Sequence, residues 1–268
     1  MPASGLGQLR LNSVVHTGNG DPCLLVHGAL GSRSYWNENL AALATVCTPV
    51  VVELWGHGQS PDPTDEDAFT IEGYVEQFEL LRAEMGVERW FTIGQSMGAA
   101  LTLAYGLANP EKVIAQVVTN SSSAFAEPAE WIQRNTDMVR PMAEKVRAEG
   151  VAALKDSWVN PSRSRRIPEE TRLVMEAEFD EHTEGGVVGS FAVTNRYLAL
   201  GDKVLDISRP TLLTVGVLEE RFLRLVPQAR RIPGIEEVEV EASHAVNAQN
   251  PGQWNAAVTD FLARHADS

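Results

Sequence analysis

The chain has 268 residues, 44% of them hydrophobic, enough for one large α/β domain with an insertion or for two small domains. Acidic residues number 36 against 22 basic ones, giving a formal net charge of −14. Such a surface repels phosphate backbones and anionic membranes, which argues against nucleic acid or a membrane as partner. Two cysteines, Cys23 and Cys47, make no disulfide framework; both fall in apolar strand-like runs without metal-ligand spacing. Residues 1–5 lack the basic-then-apolar pattern of a secretion signal, and no apolar run reaches the length of a membrane span, so a cytoplasmic location is expected.

Residues 9–16 partly alternate and predict an antiparallel edge strand, closed by the turn Asn19-Gly20-Asp21-Pro22. Residues 23–27 are a short, nearly continuous apolar run, the pattern of a strand buried on both faces, and open into the small-residue loop 28–32. A helix is expected through 36–43, then a second buried strand at 49–54 ending in the glycine turn 55–60. After a Pro/Asp-rich loop, residues 70–85 read as a helix, with Thr70 as cap and Ile71, Val75, Phe78 and Leu81 on one face. Residues 90–95 and 113–119 are further strands, separated by a helix that ends near Asn109-Pro110. Strands alternating with helices imply right-handed crossovers and an α/β fold with a doubly wound, mostly parallel sheet. Chemistry then belongs at the carboxyl ends of the strands, where Gly28, Gly56 and Ser96 fall.

From about residue 121 to 208 strand signals vanish, and amphipathic helical patterns appear at 129–149, 151–158, 168–181 and 189–200. The expected organisation is a core formed by residues 1–122 and 208–268, with residues 123–207 inserted as a helical cap; a run of ordinary crossover helices is the alternative. The α/β pattern resumes with a strand at 210–216, a short strand at 238–240 and a closing helix at 251–263.

The strongest chemical signal is Gly94-Gln95-Ser96-Met97-Gly98 at the junction of a β-prone run and a small-residue helix. A strained strand-to-helix turn there lifts the serine hydroxyl above the sheet edge, and unpaired N–H groups of the first helical turn suit an oxyanion. By composition alone such a motif arises in roughly one chain of this length in ten, so its flanking pattern carries the weight.

Four motifs occur in order: His27-Gly28 after the first buried strand, Gly56-x-Gly58-x-Ser60 after the second, Gly94-x-Ser96-x-Gly98, and Ser243-His244-Ala245 near the end. With them the chain resembles the α/β-hydrolase fold superfamily over nearly its whole length outside the insertion. The resemblance implies Ser96 as nucleophile and His244 as its general base. It implies an acid three residues past Gly216, which here is Glu219, with Glu220 as competitor. It further implies an oxyanion hole from the backbone N–H groups of Met97 and Ala29, with His27 supporting the loop. Vitamin-K-pathway lyases of this fold usually place arginine near this point, where this chain has Ala99, in place of a common glycine, and Ala100; Ser96 stands where haloalkane dehalogenases and epoxide hydrolases have aspartate, so these activities are disfavoured.

Other candidates have plainer readings. His57 in its glycine turn is expected to be structural, and His16, His182 and His265 to lie at the surface. Trp131, Trp158 and Phe191 are candidate substrate-binding residues, with Trp36 and Phe179 also considered for a pocket; packing inside the cap is the alternative for each. Arg163, Arg165 and Arg166 could meet a substrate carboxylate or form a solvated charge run. No metal cluster, dinucleotide fingerprint or phosphate loop is present in the sequence, so no cofactor is implied. The expected function is a serine hydrolase acting on a small-molecule ester, lactone or thioester, as monomer or homodimer. The alternatives are a carbon–carbon bond hydrolase or lyase using the same residues, and a small-molecule-binding module with vestigial activity.

Overall fold

The computed structural model describes residues 9–266; residues 1–5, read for a secretion signal, lie outside the described residues. Seven strands form one sheet: β1 (Ser13–Val15), β2 (Pro22–Val26), β3 (Thr48–Val52), β4 (Trp90–Gln95), β5 (Val113–Thr119), β6 (Thr211–Gly216) and β7 (Glu236–Val240). Their spatial order is β1-β3-β2-β4-β5-β6-β7, and every neighbouring pair is parallel except β1 with β3. The helices along the chain are α1 (Asn37–Leu43), α2 (Ile71–Glu84), α3 (Met97–Ala108), α4 (Ser122–Phe125), α5 (Pro128–Met138), α6 (Arg140–Glu149), α7 (Glu169–Phe179), α8 (Glu184–Gly189), α9 (Glu220–Leu223), α10 (Val226–Ala229), α11 (Val246–Gln249) and α12 (Pro251–His265).

Continuous apolar strands follow from this layering, because helices cover both faces of the sheet. Along β2, Leu24 and Val26 pack in the cluster that holds Phe78 of α2 and Leu101 of α3. Their neighbours Cys23 and Leu25 point the other way, into the cluster with Leu43 of α1 and Trp254 of α12. Thr70 caps α2 as its sequence predicts, its hydroxyl accepting the Gly73 N–H at 3.1 Å. The edge strand β1 is shorter than its pattern. At its carboxyl end the His16 N–H still donates to the Pro49 carbonyl at 2.9 Å, but Pro49 has no N–H to return the bond.

Between β5 and β6 the described residues contain helices α4 to α8 and short turns, and no strand. This segment has its own small apolar core of Ala143, Val146, Leu154, Phe179, Val187 and Phe191, into which Leu30 projects from the loop after β2. Arg33, beside that loop, ties the two parts together: it contacts buried Glu53 at 3.0 Å, Glu178 of α7 at 3.3 Å and Glu181 at 2.8 Å.

Local chemistry breaks the longer helices expected here. The pattern over 129–149 divides at Val139, because Pro141 lacks an N–H and sits at the start of α6. Over 151–158 only a 3-10 turn, Val151–Leu154, forms, and Asn160 before Pro161 is extended as proline demands. The expected helix over 189–200 is the wide π turn Ser190–Thr194 continuing α8, then the tight turn Asn195–Tyr197. Among the described residues no helix is long and apolar enough to cross a membrane.

Candidate active site

In the sheet order, β2 and β4 are neighbours with Val26 opposite Gly94, and the chain leaves them toward opposite sides. This is the switch point of a doubly wound sheet, where loops diverge and leave a crevice. Ser96 sits there between β4 and α3 with φ 53° and ψ −116°, a conformation that costs a non-glycine residue about 1–3 kcal/mol. Surrounding bonds hold it: Ser96 N–H donates to the Thr119 carbonyl at 3.0 Å, and the Ser96 carbonyl accepts the Ser121 hydroxyl at 2.7 Å. The flanking glycines are required by close approach. A Cβ on Gly98 would collide with the carbonyls of Val26 and His27, and one on Gly94 with the backbone of α3.

The ends of the next three strands supply the remaining groups. After β6, Glu219 is 8% exposed and faces His244, which follows β7; His244 Nδ1 lies 3.0 Å from each carboxylate oxygen. Asn120, after β5, donates from Nδ2 to Glu219 Oε2 at 2.8 Å and accepts the Gly216 N–H at 2.9 Å. Burial disfavours ionisation of Glu219, but the His244 charge, the hydrogen bonds from His244 and Asn120 and the Arg221 charge outweigh it, holding the carboxyl below its usual range. An ionised carboxylate only accepts, so His244 carries a proton on Nδ1. Glu220, the competing acid of the sequence, is the exposed first residue of α9. Gln95 Nε2 donates to the His244 carbonyl at 3.0 Å and steadies the loop from below.

Neither Met97 N–H, at the first position of α3, nor Ala29 N–H donates a hydrogen bond within the described residues. The Ala29 loop is fixed from behind by imidazoles. Leu30 has the left-handed φ of 55°; its N–H donates to His57 Nε2 at 3.3 Å, and its carbonyl accepts from His182 Nε2 at 3.2 Å. His27 donates from Nδ1 to the Gly28 carbonyl at 2.7 Å and accepts the Leu54 N–H on Nε2. The rings of His27, His57 and His182 run in series, with centroids 5.4 and 4.8 Å apart. Burial holds all three below the usual histidine range, His27 down to about 4. His182, expected at the surface, is thus corrected to a buried residue, 7% exposed; its short-range sequence gave no sign of the glycine turn it packs on across 124 residues. His16 and His265 are half-buried.

A cavity of about 530 Å³ opens over these strand ends, and Ser96, Met97, Ala29, Glu219 and His244 all line it. So do Trp131, Trp158 and Phe191 from the helical segment. Trp36 and Phe179 do not; Trp36 packs on Trp254 under the sheet, and Phe179 lies in the helical core. Tyr35 and Asn120 carry no sequence signal beyond their position after strand ends. Tyr35 lines the cavity, and burial first, then the Glu219 charge, keeps its phenol protonated across the working range. Among the described residues no group of three or more His, Cys, Asp and Glu side chains is placed to hold a metal ion.

Strand order, the strained serine turn and the paired Glu219 and His244 narrow the fold. The sequence profile of the alpha/beta hydrolase fold matches residues 21–217. The chain belongs to this family. This α/β hydrolase is 23% identical over 247 residues, 88% of each chain, to a Bacillus subtilis protein provisionally named 2-succinyl-6-hydroxy-2,4-cyclohexadiene-1-carboxylate synthase. It is also 23% identical over 276 residues to the 2-hydroxy-6-oxononadienedioate/2-hydroxy-6-oxononatrienedioate hydrolase of Paraburkholderia xenovorans, covering 97% of this chain and 92% of that one. A chain solved in work on carboxylesterases of Nitrososphaera gargenis superposes with a TM-score of 0.81 at 18% identity, over 99% and 98% of the two chains. The α/β-hydrolase family is one of enzymes, with hydrolases among the homologues of this chain.

Proposed function

We propose that this α/β hydrolase is a serine hydrolase that cleaves a small to medium carboxylic ester, lactone or thioester through an acyl-enzyme. The observation that carries the reading is the Glu219 carboxylate gripping His244 Nδ1 with both oxygens at 3.0 Å, on the wall of the cavity that also exposes Ser96. Ser96 Oγ adds to the substrate carbonyl carbon while His244 Nε2 takes the hydroxyl proton. The carbonyl oxygen becomes an oxyanion and is held by the Met97 and Ala29 N–H groups; removal of one such donor costs about 2.7–4 kcal/mol of transition-state stabilisation. The tetrahedral adduct collapses, the bond to the alkoxide or thiolate breaks, and His244 returns its proton to that leaving group. Water then attacks the acyl-enzyme with His244 again as base, releasing the acid and restoring Ser96. Residues 123–207 act as the cap that excludes bulk water.

Intact mass after exposure to a fluorophosphonate tests this directly. One adduct on the wild-type chain, absent in Ser96→Ala and slowed in His244→Ala and Glu219→Gln, is expected. An unmodified wild-type chain would sink the reading. The two curated relatives named above support a second reading, in which the same residues run a lyase step or cleave a carbon–carbon bond and His244 protonates a substrate carbon. Turnover of a vinylogous diketone acid in preference to an aryl ester would select it.

A further inference from the structure

Acidic residues outnumber basic ones in the chain, yet the cavity reverses that balance. Arg134, Arg163 and Arg221 line it, and its only acidic residue is Glu219, already bound to His244 and Asn120. Arg134 lies over the Trp131 ring at 5.7 Å and Arg221 over the Trp158 ring at 5.1 Å. Stacking on an indole face orients a guanidinium while leaving its N–H edge open to an acceptor in the plane. Neither arginine has a carboxylate within ion-pair distance among the described residues, in contrast to Arg33, Arg82 and Arg264, which bind carboxylates directly. Arg163 has one contact, 3.6 Å to Asp156, whose side chain is 87% exposed; such a pair is weak and readily exchanged. Arg165 and Arg166, the rest of that basic run, are exposed and do not line the cavity.

We propose that the substrate carries a free carboxylate besides its scissile acyl group, and that Arg134, Arg163 and Arg221 receive it at the mouth of the cavity. The inference rests on the serine-hydrolase reading of the same site for the acyl group, and on the arginines alone for the anion. The lining also includes the apolar Met138, Val139, Met142 and Phe191, which suits a hydrocarbon body. The substrate class is therefore a half-ester or half-thioester of a dicarboxylic acid, or a lactone that bears a free carboxylate. Positive lining in an otherwise acidic molecule also concentrates such an anion at the cavity and away from the rest of the surface.

Phenyl hydrogen adipate and phenyl hexanoate test this as a matched pair, since a terminal carboxylate replaces part of a neutral chain of the same length. The ratio of their kcat/KM values should favour the adipate by about tenfold, as expected for charge-assisted hydrogen bonds. The ratio should fall in Arg134→Gln, in Arg163→Gln and in Arg221→Gln, approach one in the triple variant, and shrink as salt is raised. Arg165→Gln and Arg166→Gln, outside the cavity, should leave it unchanged. A ratio at or below one, or one indifferent to Arg134 and Arg163, overturns the proposal while leaving the hydrolase reading intact. Should neither ester turn over, the fluorophosphonate adduct decides the hydrolase reading separately, and calorimetric binding of the two esters decides the anion. Preference for the adipate that the triple variant abolishes supports the proposal, and equal binding overturns it.

Discussion

On the sheet side of the cavity, Ser96, Asn120, Glu219 and His244 follow the ends of β4, β5, β6 and β7, and their backbones are held by hydrogen bonds to neighbouring strands and loops. On the helical side, Trp158 is 63% exposed, Arg163 stands in a three-residue turn, and α5 and α6 are separated by a break at Val139. The sheet side fixes directions to which a reaction is sensitive: Ser96, Asn120 and Glu219 follow the buried strands β4, β5 and β6, and His244, after the edge strand β7, is held by Glu219 and Gln95. On the proposed reading the helical side selects by charge and shape, which tolerates looser attachment.

Substitutions on the two sides should separate accordingly. Ser96→Ala should abolish turnover by roughly 10⁴-fold or more with little change in thermal stability, measured as kcat and Tm on the same preparation. Glu219→Gln should follow with a loss on the order of 10³–10⁴-fold, because a glutamine no longer fixes the Nδ1 proton or stabilises the imidazolium. Equal kcat losses from Trp158→Ala would break the contrast between the two sides.

Acid should act next, through the imidazoles behind the Ala29 loop. His27 is neutral in the fold down to about 4 but ionises near 6.5 when unfolded. Its stabilising contribution is complete above pH 6.5 and is lost as pH falls through the window to about 4, roughly 3 kcal/mol at full loss. His57 and His182, also held low, add to the same direction. Urea unfolding at pH 7 and at pH 5 measures it, and a flat profile would contradict the clamp. Asn120→Ala should lower stability by about 1–3 kcal/mol, since the buried Gly216 N–H loses its acceptor. It should also raise the Glu219 carboxyl toward its ordinary range, moving the acidic limb of kcat to higher pH. Trp158→Ala should be the mildest, within about 0.5 kcal/mol of wild-type stability, as expected for an exposed side chain.

Much of the sheet was legible before the structure. Apolar runs at 23–27, 49–54, 90–95, 113–119 and 210–216 mark strands that helices cover on both faces, and each strand of the structure overlaps its run. Gly94 and Gly98 were equally legible, because a turn this tight excludes a Cβ by local geometry. Helix length in the segment between β5 and β6 was less so: amphipathic periodicity over 129–149 is continuous, while one proline decides where the chain bends.

By itself the sequence determined the strand and helix alternation, the serine turn and a late histidine, since each depends on neighbours a few residues away. Tertiary structure decided which of two adjacent glutamates meets His244, that Asn120 braces it across 99 residues, that His182 is buried, and that three scattered arginines share one cavity. Those outcomes depend on strand order and crossover geometry, which bring together residues whose local sequence contains no record of one another.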